Sequence, residues 1–360
     1  MSAPLNIAID AMSGDCGPSV CVPAAMAAAR EYPDVHFTLV GRKPDLERAV
    51  GRPLPANVAL LQAADVVEMS DHPRDALRRK KDSSMRRALD LVRSHDANAC
   101  VSAGNTGALM ATAHFVLKML PGVERPAIVS VIPSRGGHTF MLDLGANATA
   151  TPAQLHQFAV MGTVLAADLA GAHPRPRVGL LNIGEEEIKG DDVVQSAHTL
   201  LSSSDLNYIG FVEGHDIFSD KVDVVVTDGF TGNVALKTME GAARLIFETV
   251  REEFTRSLAR KIGALAASPA LKALRTRLDP RQYNGASMVG LNGIVIKSHG
   301  GADAFGFQRA IEVAVLEARN GLYDLEFSDP DPAAAFAWAQ ARGAATRPRA
   351  VRWRRPCWSR

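Results

Sequence analysis

The chain has 360 residues, 47% hydrophobic and 22% charged, with a formal net charge of +1. That is the composition of an ordinary globular protein long enough to bury a sizeable core. It argues against a general nucleic-acid binder, which carries a large basic excess. The four cysteines, Cys16, Cys21, Cys100 and Cys357, form no CxxC pair or zinc-like spacing, which fits a reduced, cytoplasmic compartment.

Along the chain, the opening MSAPLNIAIDAMSGD lacks the basic flank and long apolar run of a signal peptide. Short apolar or β-branched runs then predict strands at 6–10, 36–40, 58–61, 99–102, 127–132, 139–144, 178–183, 208–212, 222–227 and 293–297. Alanine-rich segments of helical spacing lie between many of them, at 22–30, 84–92 and 152–169. Strands alternating with helices predict an α/β fold with a mostly parallel sheet covered on both faces. No stretch approaches the roughly 18 uninterrupted apolar residues of a membrane span, so any membrane contact is expected to be peripheral. One catalytic domain is expected over 1–343.

In such sheets ligands bind beyond the carboxyl ends of the strands, so the polar residues there carry the functional information. Asp10 ends the first strand. Ser102-Ala-Gly-Asn-Thr-Gly107 leads into an apolar helix. Its Gly104, Asn105, Thr106 and Gly107 could offer backbone and side-chain donors to an anion at a helix start. The competing reading is a plain turn capped by Asn105 or Thr106. Asp228-Gly-Phe-Thr-Gly-Asn233 repeats the design with Gly229, Phe230, Thr231, Gly232 and Asn233. Neither loop matches the P-loop or GxGxxG patterns, which favours a simple anion such as inorganic phosphate over a nucleotide. Asp143 and Asn147 could serve as a base and a donor, or simply cap their loop. Asn182, Glu185 and Lys189 follow the strand at 178–183. There a lysine among carboxylates could hold phosphate or steady an oxyanion, or belong to a solvated charge run at a helix start. His299 follows the run at 293–297 and could face the same crevice or sit in a structural turn. The chain contains no HExxH and no GxSxG, which disfavours a zinc hydrolase and an acyl-enzyme serine. Cys100, inside a predicted strand, reads as inert core.

From 240 the pattern changes. Ile246, Val250, Phe254, Leu258 and Ile262 recur at i, i+4, predicting one long amphipathic helix. An apolar turn at 262–267 follows, and then a second helix with Ser268 as cap and Pro269 at its first position. Arg260, Lys261, Lys272, Arg275 and Arg277 flank the turn. The stripe suits dimer packing. The turn, with Ile262, Leu265 and Leu271, suits contact with an anionic membrane surface. The segment 344–360, rich in Arg and Pro, reads as a flexible basic tail.

Taken together, IAIDAMSGD, VSAGNTGALMA, RPAIVSVIPS, LDLGANA, GLLNIGEEEIKGDD, NYIGFVEGHDI, DVVVTDGFTGNVALKTMEG and GASMVGLNGIVIKSHGGAD resemble, in order, the phosphate acyltransferase family of bacterial phospholipid synthesis. Ser13 stands where the family has glycine, and Cys16-Gly17 where it has His-Ala. The resemblance implies a fold akin to isopropylmalate dehydrogenases and phosphotransacetylases. It implies a homodimer peripherally associated with the inner face of the cell membrane, with no cofactor or metal. It also implies transfer of an acyl group from acyl carrier protein to phosphate, the acyl-phosphate passing to a membrane-bound glycerol-3-phosphate acyltransferase. On that reading phosphate, cradled by both glycine loops, attacks the thioester directly, with Lys189 and Asn233 holding it and stabilising the oxyanion. Alternatives are a phosphotransacetylase acting on short-chain acyl-CoA, a nicotinamide-dependent decarboxylating dehydrogenase, or a membrane-surface scaffold for lipid enzymes.

Overall fold

A computed structural model describes residues 5–51, 53–170 and 175–320; the expected basic tail lies outside them. The first half runs β1 (Asn6–Asp10), α1 (Pro18–Glu31), β2 (His36–Gly41), α2 (Lys43–Val50), β3 (Val58–Gln62), α3 (Pro73–Arg79), α4 (Ser84–Arg93), β4 (Ala99–Ser102) and α5 (Thr106–Leu117). The middle runs β5 (Ala127–Pro133), β6 (His138–Leu142), α6 (Pro152–Ala170), β7 (Val178–Leu181), α7 (Asp192–Ser202), β8 (Tyr208–Val212) and β9 (Val224–Val226). The last part comprises α8 (Gly229–Thr255), α9 (Leu258–Ala266), α10 (Ser268–Leu278), β10 (Ala286–Val289), β11 (Ile294–Lys297) and α11 (Ala304–Asn320).

All these strands form one sheet in the order β3-β2-β1-β4-β11-β10-β5-β6-β9-β7-β8. The expected α/β class holds, with a refinement. Pairing is parallel within β3-β2-β1-β4-β11 and within β6-β9-β7-β8. It is antiparallel at β11–β10, β10–β5 and β5–β6. The two parallel blocks therefore run in opposite directions. Every expected strand is present, trimmed by a residue or two at several ends. The four-residue β10, Ala-Ser-Met-Val, is an addition. Its buried Ser287 donates to Glu317 of α11, and that polar position hid the strand from an apolar-run reading.

The parallel strands read as continuous apolar runs because both their faces are buried. Along β1, Ile7 and Ile9 pack with α1 and α11 on one face. Ala8 joins α4, α5 and part of α8 on the other. In the second block Phe140 and Leu142 of β6 and Val224 and Val226 of β9 pack against α6 and α7.

The expected single helix through Ile262 is instead two. Ser257 adopts an extended conformation, and its hydroxyl caps α9 by accepting from Arg260 N at 3.2 Å. Residues 262–266 are helical, not a turn, and the chain turns at Ala267, so Ser268 is the first residue of α10 rather than its cap. A serine on a helix surface competes for backbone donors, and that local competition outweighs the apolar period.

Phe307 is fully buried between α11 and the first block. Phe307→Ala should lower the unfolding free energy by about 3–5 kcal/mol, measured by urea denaturation.

Candidate functional site

At the second block's edge, β6, β9 and β7 are neighbours with Leu142, Val226 and Leu180 in register. The segments after them therefore emerge side by side, which brings together Asp143, Asn147, Asn182, Glu185, Lys189 and the start of α8. Asp143 is fully buried. Its Oδ1 accepts from Ile128 N (2.9 Å) and Ala146 N (3.0 Å), and its Oδ2 from Asn147 N (2.7 Å) and Nδ2 (2.9 Å). Burial pushes the carboxyl up and these donors oppose it. With its acceptor sites engaged, Asp143 serves as the buttress of its loop rather than as a free base. Asn147 is committed too, donating also to Pro126 O at 2.8 Å.

The start of α8 is similarly self-satisfied. Asp228 caps it, accepting from Thr231 N (2.9 Å) and Thr231 Oγ1 (2.7 Å). Gly229 N donates to Asn147 O (2.8 Å) and Gly232 N to Asp228 O (2.9 Å). Gly232 is required by packing: a Cβ there would collide with Asp143 O. Three of the first amides are thus spent inside the protein. Phe230 is 68% exposed at the rim. Asn182 accepts from Ile183 N (2.8 Å) and donates to Lys189 O (3.0 Å), while Glu185 pairs with Lys221. The groups left able to change partner are few. Among the described residues Lys189 is paired only with exposed Glu186, at 3.3 Å. The Asn233 side chain lies beside Gly145.

The first block's edge holds a second constellation. Ile9, Val101 and Ile296 are in register, so Asp10, Ser102 and Lys297 stand side by side across β1, β4 and β11. Ser102 donates to Asp10 Oδ2 at 2.7 Å. Asp10 Oδ1 is buried and makes no hydrogen bond of good geometry; burial pushes this carboxyl up, and the nearby Ser84 and Ser102 hydroxyls and the Met12 amide oppose it. Among the described residues the Lys297 ammonium donates only to the carbonyls of Ala103 (3.4 Å) and Ser298. Burial, reinforced by the like charge of Lys237 and opposed by Asp10 and Asp15, pushes it down to about 8. A lysine closing an otherwise apolar strand was the available signal, and sequence reasoning passed over it in favour of His299. His299 is exposed. Its Nδ1 accepts from Gly301 N at 3.1 Å, leaving Nε2 to carry the proton of the neutral ring.

Asn105 is the cap of α5, accepting from Ala108 N (2.9 Å) and donating to Met69 O (2.7 Å). The capping reading therefore holds for this side chain. The space beside Gly104 is filled by Met85, whose Cε would lie 2.6 Å from a Cβ. Gly104 is a packing glycine, and its N–H donates to Ser102 Oγ at 3.1 Å. What remains for an anion is the amides of Thr106 and Gly107, the first two of α5. Ser13, in place of the family's glycine, ties the two loops by donating to Asp10 O (2.6 Å) and accepting from Ala103 N (2.9 Å).

In the order of the sheet four strands separate β4 from β9, the two run in opposite directions, and among the described residues no hydrogen bond joins the two glycine loops. Helix α8 links their surroundings. Asn233 lies against the second, and Lys237, one turn on, lies near enough to Lys297 of the first to act on its charge.

Against known proteins, a family model described as fatty acid synthesis protein matches residues 5–324. Phosphate acyltransferase of Alkalilimnicola ehrlichii is 55% identical over 325 residues, covering 89% of this chain and 95% of that protein. That of Halorhodospira halophila is 53% identical over 329 residues, covering 90% and 96%. The chain belongs to the phosphate acyltransferase family. It is an enzyme of acyl transfer. A phosphotransacetylase structure from Streptococcus pyogenes shares the fold at 14% identity, with a TM-score of 0.58 over 89% of this chain and 95% of that one. Among the described residues no helix is long and apolar enough to cross a membrane.

Because the folded-state value of Lys297 lies below the ordinary lysine value, the unfolded chain binds the extra proton between them. The resulting penalty on folding is complete below pH 8 and is relieved as pH rises toward that ordinary value. The unfolding free energy of the wild type relative to Lys297→Met should therefore rise between pH 8 and 10. Parallel curves would mean that the ammonium is solvated.

Proposed function

We propose that the enzyme transfers a long-chain acyl group from acyl carrier protein to inorganic phosphate, releasing acyl-phosphate and the free carrier thiol. The observation that carries direct transfer is the absence, among the described residues of the two edges, of a poised nucleophile beside several anion donors. Ser102 is bonded to Asp10, Ser298 accepts from Asn284 Nδ2 at 2.8 Å, Cys100 is buried with its thiol pushed well up, and the exposed thiol of Cys16, in the loop after β1, has no base hydrogen-bonded to it among the described residues. Phosphate is itself the nucleophile and at neutral pH is in part a dianion, so positioning supplies much of the acceleration. The amides of Thr106 and Gly107 with Lys297 suit the phosphate. Lys189 and Asn233 suit the tetrahedral oxyanion or a phosphate oxygen. The thiolate is a good leaving group, since a thiol is a far stronger acid than an alcohol. The acyl-phosphate would feed a membrane-bound glycerol-3-phosphate acyltransferase in phospholipid synthesis.

The homodimer and the membrane belong to the same proposal. Leu245 and Ile246 on α8 are 64% and 50% exposed, and Leu258, Ile262 and Leu265 on α9 are 76%, 62% and 76% exposed. Leu271 on α10 is half-buried. Aliphatic surface of this kind calls for a cover. The α8 stripe suits a second copy, and the tip of α9 and α10, with Lys261 and Lys272 exposed beside it, suits an anionic membrane surface at the inner face of the cell membrane.

The central test is phosphate-dependent release of free carrier from palmitoyl-carrier protein, with acetyl-CoA as competing donor. Preference for acetyl-CoA would favour a short-chain phosphotransacetylase. Lys189→Ala and Asn233→Ala should each lower the rate by on the order of 100- to 1000-fold, and near-normal turnover would remove that residue from the mechanism. Leu265→Glu should abolish sedimentation with anionic liposomes while the mass in solution stays that of a dimer; unchanged sedimentation would refute the tip assignment.

A further inference from the structure

The near-neutral total charge conceals an uneven distribution. Between 73 and 93, over α3, α4 and their connection, eight Lys and Arg face three Asp. This stretch has a net charge of +5, against −4 for the rest of the chain. Several of these cations are paired on the surface, as in Arg79–Asp75 at 3.5 Å and Arg87–Asp82 at 3.7 Å. Arg74, Arg78 and Lys81 are exposed and form no ion pair among the described residues.

This basic face borders the first edge of the sheet. Pro73, at the start of α3, abuts Gly107 in the first turn of α5, where a Cβ would lie 3.0 Å from its Cγ. Asn105 reaches back to the carbonyls of Met69 and Asp71. On the same side Phe115 is 52% exposed, with the Arg86 guanidinium 5.2 Å and the Lys118 ammonium 4.9 Å from its ring centre. An aromatic anchor ringed by cations is the pattern of a protein-docking surface, in which the charges steer and the ring supplies packing.

We propose that the α3–α4 face docks an acidic protein surface, that of the carrier bearing the acyl thioester, with the thioester arm entering over Thr106 and Gly107. This rests on the carrier-dependent reading above. A lipid surface fits the face less well. Leu258, Ile262 and Leu265 are exposed on α9, whereas here one ring sits among cations toward the far end of α5, about 14 Å along the helix from Thr106.

The test is the triple variant Arg74→Glu, Arg78→Glu and Lys81→Glu, assayed with a long-chain thioester on carrier protein and with the same acyl group on free pantetheine. KM for the carrier-borne donor should rise about tenfold or more and lose its salt dependence, with kcat at saturation held within about twofold. KM for the pantetheine donor should not move. Lys261→Glu with Lys272→Glu should leave both unchanged. An unaltered KM for the carrier-borne donor, or equal losses on both donors, would overturn the assignment. So would a variant that loses only binding to anionic vesicles. Fluorescence anisotropy of labelled carrier protein reads docking without turnover. If the wild type transfers from neither donor, the acyl-transfer reading fails, and binding lost in the triple variant still supports the surface, while undiminished binding overturns it.

Discussion

Strand direction reverses through the antiparallel hydrogen bonds that β10 and β5 make at the centre of the sheet, and the placement of the functional groups depends on that reversal. In a sheet of one sense the carboxyl ends would share a single edge. Here β1, β4 and β11 end in one direction and β6, β9 and β7 in the opposite one, so an element is needed that reaches both sets of ends. Helix α8 does so. Its apolar side, including Leu236 and Met239, packs on the shared core. Between Asn233 and Lys237 it passes in one turn, about 6 Å of rise, from beside Gly145 to the electrostatic reach of Lys297.

The two edges treat buried charge differently. Asp143 receives four hydrogen bonds and holds the loop, Ile128 and the start of α8 in register. Asp10 and Lys297 occupy equivalent strand ends without such completion. One Asp10 oxygen makes no hydrogen bond of good geometry, and among the described residues the Lys297 ammonium meets only carbonyls. An incompletely satisfied buried charge is destabilising, and such groups concentrate where a protein binds a charged ligand. Asp143, fully bonded, holds its loop, whereas the Lys297 ammonium, bonded to carbonyls, keeps its charge without a carboxylate hydrogen-bonded to it.

Much of this was legible in the sequence. The strands of the two parallel blocks are runs such as Ile7-Ala-Ile9 and Val224-Val-Val226, and burial on both faces makes those the easiest elements to read. The residues closing them were also identifiable as functional candidates. What composition could not separate was a donor that is free from one already spent. Asn105 and Asn233 look alike in GNTG and TGN, yet the first is a committed cap and the second lies open beside Gly145. That distinction depends on chains remote in sequence, Met69 for one and Gly145 for the other. Lys297 was missed for the related reason that the loss of water around an ammonium is set by the packing of β4, β11 and α8, not by its neighbours in the chain. The break at Ser257 was missed because an i, i+4 stripe continues through it while the backbone does not.

The densest run of positive charge and the apolar tip lie on different elements. The +5 stretch is at α3–α4, beside the first edge, whereas Leu258, Ile262 and Leu265 are exposed on α9. On the proposed function this separation follows from the reaction. The donor is a soluble protein that must arrive oriented and leave again, which favours screened, reversible charge attraction. The acyl-phosphate is amphiphilic and bound for a membrane, which favours apolar contact with lipid. Merging the two features on one surface would make carrier and membrane compete for it. On that proposal, separate faces would let the enzyme hold a lipid surface with α9 and α10 while a carrier protein exchanged at α3 and α4.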